Sequence, residues 1–201
     1  MPGDKPTEER ILIAARKIFL DKGLEGARMQ DIADEAGINK AMLHYYFRTK
    51  DKLFETIFSQ VAAGFLPKIF SILQSENSLF KKIELFCEAY ILQEIQTPYV
   101  PMFIIKELNR DPKVFLKRVL KGRKPPLDKV LLQIKQEIKK GIIKPIEPIQ
   151  LLLNIISLCI FPFLARPMVQ AITGMGMDEF NTLMQLRCKE VPKIIINSIS
   201  A

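Results

Sequence analysis

Ala33, Gly37 and Leu43 stand at offsets 0, +4 and +10 in the stretch MQDIADEAGINKAMLHYYFRTKDKL, residues 29–53 of a 201-residue chain. A small residue lets two helices cross closely. Glycine enters a left-handed turn without a Cβ penalty, and a leucine ten positions on plugs the crossing. The chemistry this spacing supports is recognition: a helix-turn-helix whose second helix enters the major groove of DNA. Ile32, Ala33 and Ala36 share one face of the first helix, Met29–Ala36, at the spacing of a helix with one buried side. Asn39 offers its side-chain oxygen to the free N–H groups of the second helix, and Thr49 does the same for a helix beginning at Lys50.

Little else in the chain points to covalent chemistry. His44 is the only histidine, and no carboxylate or nucleophile pattern accompanies it. There is no nucleophile elbow, phosphate loop or paired-carboxylate signature, so no enzyme is expected. Cys87, Cys159 and Cys188 are odd in number, far apart and set among apolar residues. They read as core thiols of a reduced cytoplasm, with neither a disulfide framework nor a metal or cofactor implied. The opening MPGDKPTEER lacks the apolar run of a signal peptide. The apolar stretch Ile149–Ala165 is interrupted by Gln150, Asn154, Ser157 and Pro162. It falls short of the ~20 clean residues a bilayer needs, so no membrane partner is expected and a helix buried on two sides is.

The elements that must position the turn are helical. The chain is 48% hydrophobic and 26% charged, rich in Leu, Ile, Lys and Glu, and strand-type alternation is absent, which predicts an all-α fold. A first helix is capped by Thr7, buries Ile11, Ala14, Ala15, Ile18 and Phe19, and is expected to end at Gly23. Three helices in so few residues must pack on one another. A fourth carries Leu53, Phe54, Ile57, Phe58 and Val61 towards Pro67 or beyond, out of a small domain (1–53) into a larger helical one (54–201). Further helices are expected near 78–96, 100–109, 127–141, 147–172 and 178–199, about nine in the whole chain, with a short one at 112–121. Pro162, Pro167 and Pro192 should bend or break theirs.

The net charge of +8 does not sit on the helix-turn-helix. Residues 1–53 carry +1, 54–105 carry −2, 145–201 are neutral, and 106–144 carry +9. Leu127, Val130, Leu131, Ile134 and Ile138 make one buried stripe in that block, which leaves the lysines on a solvated face. An alternative is a basic helical protein that binds a membrane surface or partner through 106–144.

The string DIADEAGINKAMLHYYFRTKDKLF, behind a first helix and ahead of some 150 helical residues, resembles the TetR (tetracycline-repressor-like) family of transcriptional regulators. The likeness covers about residues 10–55 and lies in Asp31-Ile32-Ala33, Ala36-Gly37-Ile38, Leu43, the aromatics ending at Phe47, Thr49-Lys50 and Leu53. It implies a homodimer that binds a palindromic double-stranded DNA operator and responds to a small molecule in the C-terminal domain, most often as a repressor. By position, the recognition helix is Lys40–Phe47. Lys40 would reach guanine or phosphate, Ala41 and Met42 a thymine methyl, and Tyr45 the backbone or a base edge. Asn39 and Lys50 would meet phosphates, the latter at a helix N-terminus. His44 stands where relatives usually carry tyrosine. Arg28 replaces a capping hydroxyl with a longer phosphate donor, which leaves Gln30 as the first side chain of its helix near DNA.

The resemblance also assigns work to the rest of the chain. The most apolar helices, near 147–172 and 178–199, would pair with their copies in a four-helix dimer interface. Phe65, Phe86, Tyr90, Met102, Phe103, Phe161 and Phe163 are the candidate lining of an effector pocket. The effector expected there is small and lipophilic, and the basic block leaves room for an anionic one.

Overall fold

A computed structural model describes residues 6–120, 122 and 124–201. Eleven helices and no strand occur among the described residues: α1 (Thr7–Gly26), α2 (Met29–Glu35), α3 (Lys40–Tyr46), α4 (Lys50–Gln74), α5 (Leu79–Gln96), α6 (Val100–Arg110), α7 (Pro112–Leu120), α8 (Leu127–Lys139), α9 (Pro148–Leu164), α10 (Arg166–Thr173) and α11 (Met177–Ile199). The expected end of the seventh helix at Lys121 lies outside the described residues, as do Arg123 and the side chain of Arg118.

Two buried cores divide the molecule. The first is built by Ile11, Ala15 and Phe19 of α1, Ile32 and Ala33 of α2, Leu43 of α3 and Phe54, Ile57 and Phe58 of α4. It does not stop at residue 53: Tyr99, Val100, Phe103 and Phe115, from the start of α6 and from α7, complete it. Phe54 and Phe103 have ring centroids 4.4 Å apart, and Phe58 lies 5.1 Å from Phe103 and 5.6 Å from Phe115. The second core takes Ile69 and Leu73 from the other end of α4, then α5, α8, α9 and α11. At 25 residues α4 is long and apolar enough to cross a membrane by composition. Here its apolar residues are divided between the two cores, so one helix belongs to both.

Two boundaries differ from expectation. Gly23 does not end α1, which continues to Gly26; a single glycine lowers helix propensity by about 1 kcal/mol, and buried Leu24 and Ala27 draw the next turn into the core. The expected helix 147–172 is two, α9 and α10, bent by 61° at Ala165. Pro167 is the cause: inside a helix its ring would clash with the carbonyl four residues back, whereas in a first turn it is at home.

Pro162 and Pro192 stay inside α9 and α11. Pro162 has no N–H for the Leu158 carbonyl, and the Arg187 guanidinium of α11 donates to that oxygen at 2.8 Å instead. The gap in one helix thus becomes a tie between two. The three cysteines converge beside it, where α5, α9 and α11 meet. The Cys87 thiol hydrogen-bonds that of Cys159, and this contact together with burial holds Cys159 far above the usual thiol range.

Candidate nucleic-acid interface

The turn is closed by backbone hydrogen bonds, Gly37 N–H to Asp34 at 3.1 Å and Ile38 N–H to Ala33 at 3.0 Å. Gly37 has φ +64°, the left-handed region that favours glycine. Space adds to the torsional preference, because a Cβ there would lie 3.2 Å from the Arg10 guanidinium, which would have to give way slightly. Arg10 reaches across from α1 and donates to the carbonyls of Ala36 at 2.7 Å and Gly37 at 3.2 Å. Ala33 and Leu43 are fully buried, as their role at the helix crossing requires.

The Asn39 side-chain oxygen accepts from the Met42 N–H at 2.7 Å and starts α3. The Thr49 hydroxyl accepts from Lys52 N–H at 3.1 Å and starts α4. At the head of α2, Arg28 has no oxygen with which to cap. The Asp31 carboxylate instead accepts from the Arg28 backbone N–H at 3.3 Å, and Lys22 of α1 pairs with it at 3.0 Å. The Lys22 hydrogen bond is the main reason the Asp31 carboxyl sits below its usual range.

With Leu43 and Phe47 turned inward, α3 presents Lys40, Ala41, Met42, His44 and Tyr45 to solvent. Tyr45 is 84% exposed, extreme for an aromatic side chain in a packed domain. Tyr46, which periodicity passed over, is also exposed and meets the Tyr45 ring edge-on at 5.6 Å. His44 is exposed, and its Nδ1 lies 3.1 Å from the Arg48 carbonyl. That contact ties the ring to the short link between α3 and α4. Arg28 and Gln30 are exposed as well, with Gln30 donating to Asp34 at 2.7 Å.

Lys50, the expected phosphate contact, also has partners within the chain. Its ammonium donates to the Ala27 carbonyl at 3.1 Å and the Glu25 carbonyl at 3.3 Å, which caps the end of α1 and fixes the α1–α2 corner. Arg10 and Lys50 both act across more than twenty residues, where no local spacing signals them.

The basic block is mostly accounted for by packing. Val130 and Ile134 of α8 are buried, with Lys135, Lys139 and Lys140 exposed around them. Lys129 pairs with Glu76 at 2.6 Å and Lys106 with Glu25 at 3.1 Å.

At the edge of the second core lies an apolar pocket of about 230 Å³, open to solvent along α9, where Ile149, Leu153 and Ile156 are exposed. Its walls are Leu73 of α4, Ile83 and Phe86 of α5, Val130 and Ile134 of α8, and Leu152 and Ile156 of α9, with the alkyl stem of Lys82 beside them. The seven candidate pocket residues do not form one lining. Phe86 lines the cavity, and Phe65 and Tyr90 continue from it in a chain of ring contacts, each 5.6 Å. Phe103 belongs to the first core, Phe163 packs on Phe180, and Met102 and Phe161 are more than half exposed. Aromatic type says that a ring is useful in a core, not which core it serves.

Braced turn, capped second helix and outward-facing Lys40, His44 and Tyr45 together define a helix-turn-helix DNA-binding protein. Residues 11–57 match the family model described as bacterial regulatory proteins, tetR family. The chain is 26% identical to the transcriptional repressor AcnR of Corynebacterium glutamicum over 185 residues, 91% of this chain and 94% of that one. It is 23% identical to the transcriptional regulator RutR of Escherichia coli over 192 residues, 96% of this chain and 90% of that one. Among solved structures the fold is similar to that of the ketosteroid transcriptional regulator KstR2 of Mycobacterium tuberculosis, with a TM-score of 0.70 at 16% identity, covering 98% of this chain and 97% of that one. It is also similar to FadR of Bacillus subtilis in complex with stearoyl-CoA, with a TM-score of 0.62 at 15% identity, covering 95% and 98%. Residues 11–57 are a DNA-binding domain similar to that of the TetR family, and along nearly its whole length the chain is similar to DNA-binding transcriptional regulators.

Proposed function

We propose that this regulator is a homodimeric repressor, released from a palindromic operator when a small lipophilic molecule enters the cavity of the second core. The observation that carries the reading is the span of α4. Its first turns hold Leu53, Phe54 and Phe58 in the DNA-binding core, and Leu73 near its other end walls the cavity. A ligand that prefers one position of α4 therefore biases the placement of α3. It does so only to the extent that it binds the two arrangements with different affinity. The apolarity of the cavity suits a lipophilic guest, and its volume of about 230 Å³ suits a small one. The chain works by binding rather than catalysis, in the cytoplasm where its DNA lies.

Dimerisation is assigned to α9 and α11. Between them runs a groove edged by Asn154, Ser157, Ile194 and Ser198, and Phe161, Leu186 and Ile194 stand more than half exposed around it. Large apolar side chains left out on two adjacent helices suit an isologous partner. Two recognition helices related by a two-fold then read half-sites about one DNA turn apart. On α3, Lys40, Ala41, Met42, His44 and Tyr45 read the site, with Asn39, Arg28 and Gln30 beside the backbone and Lys50 bracing the corner from behind.

The test is a footprint on the DNA upstream of its own coding region. Two protected half-sites one turn apart are expected, and a Lys40→Ala/Tyr45→Ala double variant should lose them, at a cost of about 2–4 kcal/mol for two contacts. A footprint that survives the double variant would remove α3 from the reading role.

A further inference from the structure

We propose that the effector of this regulator is a lipophilic amine, whose apolar body fills the cavity and whose N–H groups reach the carboxyl of Glu94. The inference rests on the reading of the cavity as the effector site and adds the chemistry of the head group.

Lys82, Phe86, Tyr90 and Glu94 are each four residues apart and form one ridge along α5. The cavity occupies the Lys82–Phe86 end. Phe86 and Tyr90 then stack at 5.6 Å with 27° between their planes, and Phe65 closes on Tyr90 edge-on. All three rings are only partly buried and pack against the core, and a guest that reaches Glu94 from the cavity must displace them. Glu94 lies one helical turn past Tyr90, about 6 Å further along the axis. It is 3% exposed, and its Oε2 has no hydrogen-bond partner among the described residues. A buried acceptor without a donor is costly, and the structure offers a guest with donors the means to relieve it.

The cationic end of the ridge does not make the same offer to an acid. The Lys82 ammonium already donates to Gln133 at 2.7 Å, with the carboxylates of Glu76 and Glu137 close by. Only its apolar stem faces the cavity, whose lining is otherwise hydrocarbon and aromatic. A guest with a carboxylate head finds its cation engaged, whereas one with an ammonium head finds a free acceptor. Burial alone holds the Glu94 carboxyl well above the usual carboxylate range, and no neighbouring charge contributes. A ligand cation would be the first opposite charge it meets.

The experiment uses three probes with one chain and different heads: octylamine, 1-octanol and octanoate, each titrated into the full-length protein and followed by calorimetry. The account predicts that octylamine binds at least tenfold more tightly than 1-octanol, with octanoate weakest. Net charge works against that order, because a protein at +8 attracts octanoate non-specifically. In Glu94→Gln the octylamine preference should fall to within about twofold of 1-octanol. Octanol binding by the variant shows that its cavity has formed. Octylamine binding no better than 1-octanol, or an advantage that survives Glu94→Gln, overturns the assignment of the head group. Binding of none of the three overturns the cavity as effector site, and this inference with it.

Discussion

Glu94 is the residue whose environment most contradicts its type. A carboxyl shut into an aromatic core keeps its proton up to about pH 8 in the folded chain, against 4.5 when unfolded. Between those values unfolding releases a proton, so stability falls as pH rises from 5 to 8 and levels off above that. The cost at pH 8 is at most roughly 4 kcal/mol, from ~1.4 kcal/mol for each pH unit of displacement. Glu94→Gln should therefore raise the unfolding free energy at pH 8 and change it little at pH 5. Chemical denaturation of both proteins at the two pH values checks this, and parallel curves would contradict it. Nothing in the sequence around Glu94 marks it, because burial comes from α4, α9 and α11 packing over α5. Gly37, Asn39, Leu43 and Thr49 are the opposite case. Their roles are played within ten residues, so spacing alone made them legible, down to the two capping hydrogen bonds. Lys50 stands between the two: its position in the motif was legible, but its partners on the Glu25 and Ala27 carbonyls were not.

At the scale of elements, prolines explain most of what helical periodicity could not. Periodicity sees apolar residues recurring from 148 to 172 and joins them, while Pro167 has to start a new helix and turns α10 by 61°. Pro162 leaves α9 intact because Arg187 supplies the missing donor to Leu158. A dimer bundle can thus use α9 only as far as Leu164, with α11 beside it. The exposed Ile194 lies on the groove between them. Ile194→Asp would place a charge in the groove assigned to the partner subunit and should convert the proposed dimer to monomer at micromolar concentration, as read by sedimentation. Operator affinity should fall with it, since each half-site would then be bound alone. A variant that sediments as a dimer would move the interface elsewhere, with the apolar side of α10 the next surface to examine.

For the whole molecule, the helical class and the recognition domain followed from composition and one motif, whereas the border between the cores did not. It runs through the middle of α4, because α6 and α7 return to pack Tyr99, Phe103 and Phe115 against Phe54 and Phe58. Such returns depend on tertiary contacts between segments some fifty residues apart. The same contacts scattered the seven pocket candidates, six aromatics and Met102, over two cores and the surface, leaving Phe65, Phe86 and Tyr90 as one connected group. The arrangement links the cavity to the reading head through α4, against whose first half α6 and α7 pack by ring contacts. The charge map agrees with a reading head that relies on a few placed groups, since the +9 block lies outside it and is partly neutralised by Glu25 and Glu76. The central claim, that α3 reads a DNA sequence, is tested most directly by competition binding at physiological salt between the upstream DNA of its own coding region and random DNA of equal length. The account predicts a preference of at least a thousandfold for the upstream fragment; equal affinity for the two would contradict it.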